Sequence, residues 1–116
     1  MANDISLTIR LPHELNAELK KTAKDVGVTK TNFIRCAIHD FLTVDTITLK
    51  FPQNPSPQKD RLVLNVNQLT YSILKNACEK YNQSMNAIVI AVSILALERS
   101  TKWLQSTMPL PSNPSD

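Results

Sequence analysis

Residues 6–11, SLTIRL, and the run that follows at 12–42, PHELNAELKKTAKDVGVTKTNFIRCAIHDFL, decide how this chain folds. Leu7, Ile9 and Leu11 alternate with Ser6, Thr8 and Arg10, so an extended backbone puts three apolar side chains on one face and three polar ones on the other. Pro12 suits the first turn of a helix, where a missing N–H has no partner to lose. From Pro12 to Val26, Leu15, Leu19, Thr22, Ala23 and Val26 recur at helical spacing, with Glu14 early and Lys20, Lys21 and Lys24 late, the order that the helix macrodipole favours. Gly27 ends this helix as a left-handed residue, and Thr29 is the candidate N-cap of a second one whose apolar positions are Phe33, Ile34, Ala37, Ile38 and Phe41.

Fifty-five residues on, the same plan returns. RLVLNV, residues 61–66, sets Leu62, Leu64 and Val66 on one face and Arg61, Val63 and Asn65 on the other. A helix from about Asn67 to Tyr81 carries Leu74, Ala77, Cys78 and Tyr81 along its stripe. Asn82 replaces Gly27, being tolerant of the left-handed conformation, and Ser84 replaces Thr29. The last helix, strongly apolar through Ile88, Val89, Val92, Leu95 and Ala96, continues to about Leu104. Few positions are identical, so the repeat is one of pattern. It divides the chain into a first unit at 1–43, a linker at 44–60, a second unit at 61–105 and a tail at 106–116.

The linker contains an alternating TITLKF, residues 46–51, before PQNPSPQKD. This permits a rival reading in which TITLKF and RLVLNV form a local hairpin. That pairing would leave SLTIRL alone, and an isolated strand is unstable. The tail, MPLPSNPSD, reads as disordered.

One strand-helix-helix unit can neither satisfy its strand's backbone groups nor cover its apolar face, so it must associate with a second. Antiparallel pairing of the two strands over four helices answers both needs and makes the fold mainly α with a two-stranded antiparallel β-ribbon. Pairing within one chain and swapped pairing between chains are both open. The last helix is apolar nearly all round through Ile88, Val89, Ile90, Val92, Ile94 and Leu95, which predicts further burial and hence association of two chains.

At 116 residues the chain has no room for a large enzyme with a deep cleft. Lys and Arg total 13 against 10 Asp and Glu, a net charge of +3 that leans toward an anionic partner. Residues 61–104 carry five basic and two acidic residues and the first 42 carry six and five, so the second unit is the more basic. Cys36 and Cys78 lie inside helix-patterned segments and read as reduced core or near-core thiols. His13 and His39 are too isolated for a metal or acid-base site. There is no glycine-rich phosphate loop, no ligand cluster and no nucleophile beside a base, so the expectation is a protein without catalysis, cofactor, metal or small-molecule substrate. The N-terminus has neither the basic nor the apolar region of an export signal and Ala87 to Leu97 is too short to span a bilayer, which points to a cytoplasmic protein without a membrane partner.

Residues 6–42 resemble, nearly position for position, the CopG type of the ribbon-helix-helix proteins, a family typified by the Arc, MetJ and CopG repressors, and 61–97 are a weaker match that keeps the spacing. The resemblance implies a tandem ribbon-helix-helix pseudo-dimer in one chain, a binder of double-stranded DNA. It implies that Ser6, Thr8, Arg10, Arg61, Val63 and Asn65 enter the major groove. It also implies that the starts of the second helices, Thr29, Lys30 and Thr31 with Ser84, Met85 and Asn86, clamp phosphate. In the second unit Val63 offers no hydrogen bond and Met85 stands where Lys30 does, so the two strands are not equivalent readers.

The chemistry suits that role. Arg10 and Arg61 can each bond guanine O6 and N7, Asn65 can pair with adenine N6 and N7, and Thr8 and Val63 can touch a thymine methyl. A helix start offers free N–H groups and the positive end of a dipole to a phosphate oxygen. The blander alternative is the solvated face of a sheet, which the duplicated architecture disfavours, and plain caps, which can bind phosphate as well; Lys20, Lys21 and Lys24 read as solvated surface, and Trp103 as a packing anchor. The leading expectation is a sequence-specific transcriptional repressor or plasmid-maintenance regulator. Tandem members resemble TraY-type proteins, so a relaxosome accessory at an origin of transfer is the second reading. An antitoxin-like interaction module is the third, although the tail lacks an acidic amphipathic stretch.

Overall fold

Alternation at 5–12 and 59–66 leaves each strand with one apolar face and two unpaired edges; pairing the strands with each other closes one edge of each, and the helices cover the shared face. The computed structural model describes residues 5–44, 48–51 and 59–107, with side chains described as far as Ser100. The elements run β1 (Ile5–Pro12), α1 (His13–Val26), α2 (Lys30–Leu42), β2 (Lys59–Val66), α3 (Gln68–Tyr81) and α4 (Met85–Thr107). The fold is mainly helical with one two-stranded antiparallel sheet. Its register sets Ile5 opposite Val66 and Pro12 opposite Lys59, with Thr8 opposite Val63 at the middle.

The hairpin alternative is therefore not adopted: β2 pairs with β1 of the same chain, and residues 48–51 are not strand. Leu49 is instead buried in the core, and the Phe51 ring lies 5.9 Å from that of Tyr81 at the end of α3. The remainder of the expected linker, 45–47 and 52–58, and the tail from 108 lie outside the described residues, as does the side chain of Trp103.

Local chemistry sets the helix boundaries. Thr29 Oγ1 accepts from the Asn32 N–H at 3.2 Å, Asn67 Oδ1 from the Thr70 N–H at 2.8 Å and Ser84 Oγ from the Ala87 N–H at 3.1 Å. Gly27 takes φ +87° and Asn82 φ +54°, both left-handed. After Gly27 the Val28 N–H reaches the Ala23 carbonyl at 2.9 Å, closing the helix end. The first helix begins one residue later than its pattern suggests: Pro12, with ψ 141°, is still extended and ends β1, where its missing N–H costs no ladder bond.

Ile9, Leu11, Leu62, Leu64 and Val66 on the inner face of the ribbon join Leu19, Ile34, Ile38, Leu74, Ile88, Val89 and Val92 in a single cluster that draws on every element. Helix α4 packs against α1, α2, α3 and β1. That accounts for part of its all-round apolar character: Ile88, Val89, Ala91, Val92 and Ala96 are buried within the chain, and the buried Ser93 satisfies its hydroxyl by donating to the Val89 carbonyl at 2.7 Å. Ile90, Ile94 and Leu95, which with Ile88, Val89 and Val92 suggested association of two chains, are only half-buried, so this chain's own helices cover part of that apolar surface and leave part of it open. No described helix is long and apolar enough to cross a membrane.

Two expectations need correction. Val26 is 38% exposed, because the turn at Gly27 carries it with Val28 to the rim of the core. Cys36 is exposed, being on the face of α2 opposite Ile34 and Ile38, whereas Cys78 is half-buried, and burial pushes its thiol pKa up.

Substituting either side of one strand should separate the faces. Leu64→Ala, at a fully buried site, is expected to cost about 2–5 kcal/mol, and Val63→Ala, at a site 45% exposed, within about 0.5 kcal/mol, by urea denaturation.

Candidate nucleic-acid interface

Because successive side chains of a strand point to opposite faces, burying Ile9, Leu11, Leu62, Leu64 and Val66 forces Ser6, Thr8, Arg10, Arg61, Val63 and Asn65 outward, and all six are exposed. The antiparallel register decides which of them meet. Ser6 faces Asn65, Thr8 faces Val63 and Arg10 faces Arg61. Ser6 Oγ donates to Asn65 Oδ1 at 2.8 Å, closing one end of the row with a neutral hydrogen bond. At the other end two guanidinium groups stand on opposed positions, and neither has an acidic partner among the described residues. Pro12 and Lys59 continue the outer face beyond them, so its three charges, Arg10, Lys59 and Arg61, are all positive.

Each edge of the ribbon is held by the start of one helix. Asn86, near the start of α4, brackets Arg10: its Oδ1 accepts from the Arg10 N–H at 2.7 Å and its Nδ2 donates to the Arg10 carbonyl at 3.1 Å. This amide does for β1 what a third strand would do. On the opposite edge Arg35 Nη1 donates to the Asn65 carbonyl at 2.7 Å while its other nitrogen bonds Asn32 Oδ1. Asn65 is the position 55 residues after Arg10, so corresponding points of the two strands are anchored by different chemistry. The anchoring sets the N-termini of α2 and α4 on the two flanks of the outer face. There the caps consume the third amide of each helix, and the amides of Lys30, Thr31, Met85 and Asn86 have no acceptor among the described residues.

The twelve residues singled out in the sequence thus form two groups, the ribbon's outer row and the starts of the two helices that are hydrogen-bonded to its edges. Their free chemistry differs. Thr29 and Ser84 are caps, and Thr31 Oγ1 lies 3.4 Å from that of Thr29. The Asn86 amide is committed to the strand. Lys30 Nζ donates to Asn16 Oδ1 at 2.6 Å, which leaves two of its N–H groups for another acceptor. Met85 is half-buried against the core.

Composition gave no warning of Arg35, Asn32, Asn16 or Asp60. Asp60, the second residue of β2, lies on the inner side of the ribbon, its side chain 31% exposed, and gathers α1 and β2 at one corner: Asn16 Nδ2 donates to its Oδ2 at 2.7 Å, and His13 Nδ1 lies 3.0 Å from the same oxygen. His13 is therefore not isolated, and neither is His39, whose Nε2 is 2.7 Å from the buried Thr70 hydroxyl. The only local signals were polar residues one helical turn apart, His13 and Asn16, facing a strand from distant sequence. The Asn16 hydrogen bond, opposed by partial burial and aided by His13 and Lys30, holds the Asp60 carboxyl below its ordinary range. A carboxyl depressed in the folded state adds stability that is complete above its unfolded value near 3.9 and is lost as pH falls through the folded one.

Protein-family models, curated proteins and solved structures were compared with the chain, and none matches it.

Removing the Asp60 charge should therefore matter only when it is ionised. Wild type is expected to be more stable than Asp60→Asn near pH 6, with the difference shrinking as pH falls through and below the ordinary carboxylate range, in thermal melts. A difference independent of pH would mean that the corner is held by shape and not by charge.

Proposed function

We propose that this chain binds double-stranded DNA in a sequence-specific manner by laying β1 and β2 in the major groove, as a transcriptional repressor or plasmid-maintenance regulator. In this reading its two strand-helix-helix units form a tandem ribbon-helix-helix pseudo-dimer. The observation that carries it is the outer face of the ribbon: an exposed row with three cations and no anion, set between two helix starts whose first amides lack acceptors among the described residues.

Each part of that face answers a feature of the duplex. Two strands about 4.8 Å apart fit a groove about 12 Å wide, which a flat protein surface of the same charge would not enter. Arginine, asparagine and hydroxyl side chains match the donors and acceptors on base edges, and an exposed valine at the centre matches a thymine methyl. Flanking helix N-termini suit the phosphates on either side of the groove, with Lys30 and Arg35 adding charge on the α2 flank. The register supports the tandem reading as well. Thr8 and Val63 are equivalent under the 55-residue shift and are also paired with each other, which is the condition for two like units to meet about a central axis.

Fluorescence anisotropy on labelled duplexes tests this. Binding is expected to weaken steeply between about 50 and 200 mM salt, and a sequence enriched from a random duplex pool should outcompete random DNA by at least about 1000-fold. Equal affinity for both, or no binding at low salt, rejects the proposal.

A further inference from the structure

The sequence places one arginine among the outward residues of each strand, at the last outward position of SLTIRL and the first of RLVLNV. Antiparallel pairing carries these to the same end of the ribbon. Arg10 and Arg61 are directly opposed, whereas the other end holds Ser6 and Asn65, already joined by a neutral 2.8 Å hydrogen bond. Lys59, one outward position beyond Arg61, adds a further cation at the arginine end.

Resting on the DNA-binding reading above, we infer that the ribbon reads a polar site: guanines beneath the Arg10–Arg61 end and a guanine-independent, A·T-compatible step beneath the Ser6–Asn65 end. The chain consequently sits on its site in one orientation. Like charges directly opposite across a strand pair repel, and no carboxylate among the described residues relieves these two. Guanine relieves them, since its O6 and N7 present two acceptors to the fork of each guanidinium, where adenine presents an acceptor and a donor. At the other end the Ser6–Asn65 pair carries no charge to neutralise, and its amide can still give one N–H and take one more bond, the pattern of adenine N7 and N6. Thr8 and Val63 separate the ends with methyl groups. The ends are four residue steps apart along the strand, about 13 Å, so the two readings fall about four base pairs apart.

A pseudo-dimer alone does not require this polarity. Had the arginines occupied equivalent positions of the two strands, the pairing would have sent them to opposite ends and the site would be near-palindromic. Here Arg61 is equivalent to Ser6 and Arg10 to Asn65, so exchange of the two units exchanges unlike side chains at both ends.

Selection from a random duplex pool by the full chain, repeated with variants, tests the inference. All four variant sites are exposed, and equal melting temperatures would confirm that folding is unaffected. Wild type should enrich a non-palindromic site with guanines confined to one end. Arg10→Ala and Arg61→Ala should both relax that same end, each lowering affinity for the wild-type site by roughly ten- to a hundredfold, while Ser6→Ala and Asn65→Ala relax the other. Arg10→Lys with Arg61→Lys keeps the charge and loses the fork, so binding to random DNA should persist while guanine preference is lost. Guanines enriched at both ends, or the two arginine variants relaxing opposite ends, would overturn the polarity and leave DNA binding standing. No enrichment together with no salt-sensitive binding would overturn the DNA reading itself.

Discussion

Everything in this molecule depends on the backbone pairing of β1 with β2. Each is an eight-residue strand with no other strand to pair with among the described residues, and a two-stranded ribbon is marginal in water unless one face is covered. The helices supply that cover, and Leu11, Leu19, Ile34, Leu64, Leu74 and Ile88 reach full burial only because both halves contribute to one cluster. The outer row is a by-product of the same constraint. With the inner positions committed to the core, Ser6, Thr8, Arg10, Arg61, Val63 and Asn65 have nowhere to go but into solvent, as a rigid array backed by four helices.

The free edges of the ribbon are the second demand, since an exposed edge presents unpaired N–H and C=O groups. Asn86 and Arg35 meet it on opposite sides, and in doing so tie each edge to the start of a helix. Edge protection and the placing of the flanking amides are thus one device. Asn86 performs it with a neutral amide that spends both of its hydrogen-bonding atoms, and Arg35 with a cation, so the two flanks differ in charge for a structural reason.

The corners of the ribbon differ in the same way. Lys30, Asn16, Asp60 and His13 build a hydrogen-bonded network at one, while 55 residues away in the repeat the corresponding positions are Met85, Tyr71, Ile5 and Gln68, of which Met85, Tyr71 and Ile5 pack on the core. Likewise His39 meets Thr70, and the corresponding positions hold Ile94 and Leu15. Pairing either unit with a copy of itself would set a polar group against an apolar one at these points and leave hydrogen bonds unmade, which costs about 1–3 kcal/mol for each buried group. The halves of the chain are matched to each other.

Periodicity alone determined the strands, the helices, the left-handed residues Gly27 and Asn82, the caps Thr29 and Ser84 and which side chains face outward, because each of these follows from spacing within a few residues. It erred where burial depends on the neighbour: Cys36 and Val26 sit on or near apolar stripes and are exposed. Tertiary structure alone decided the register, and with it that Arg10 meets Arg61 and Ser6 meets Asn65; it also decided that Asn86 serves the edge of β1, that Arg35 serves that of β2, and that Asp60 collects His13 and Asn16. These contacts join residues 30 to 76 positions apart. Such pairings are chosen by the way two faces fit when the core closes, a condition that no local spacing encodes.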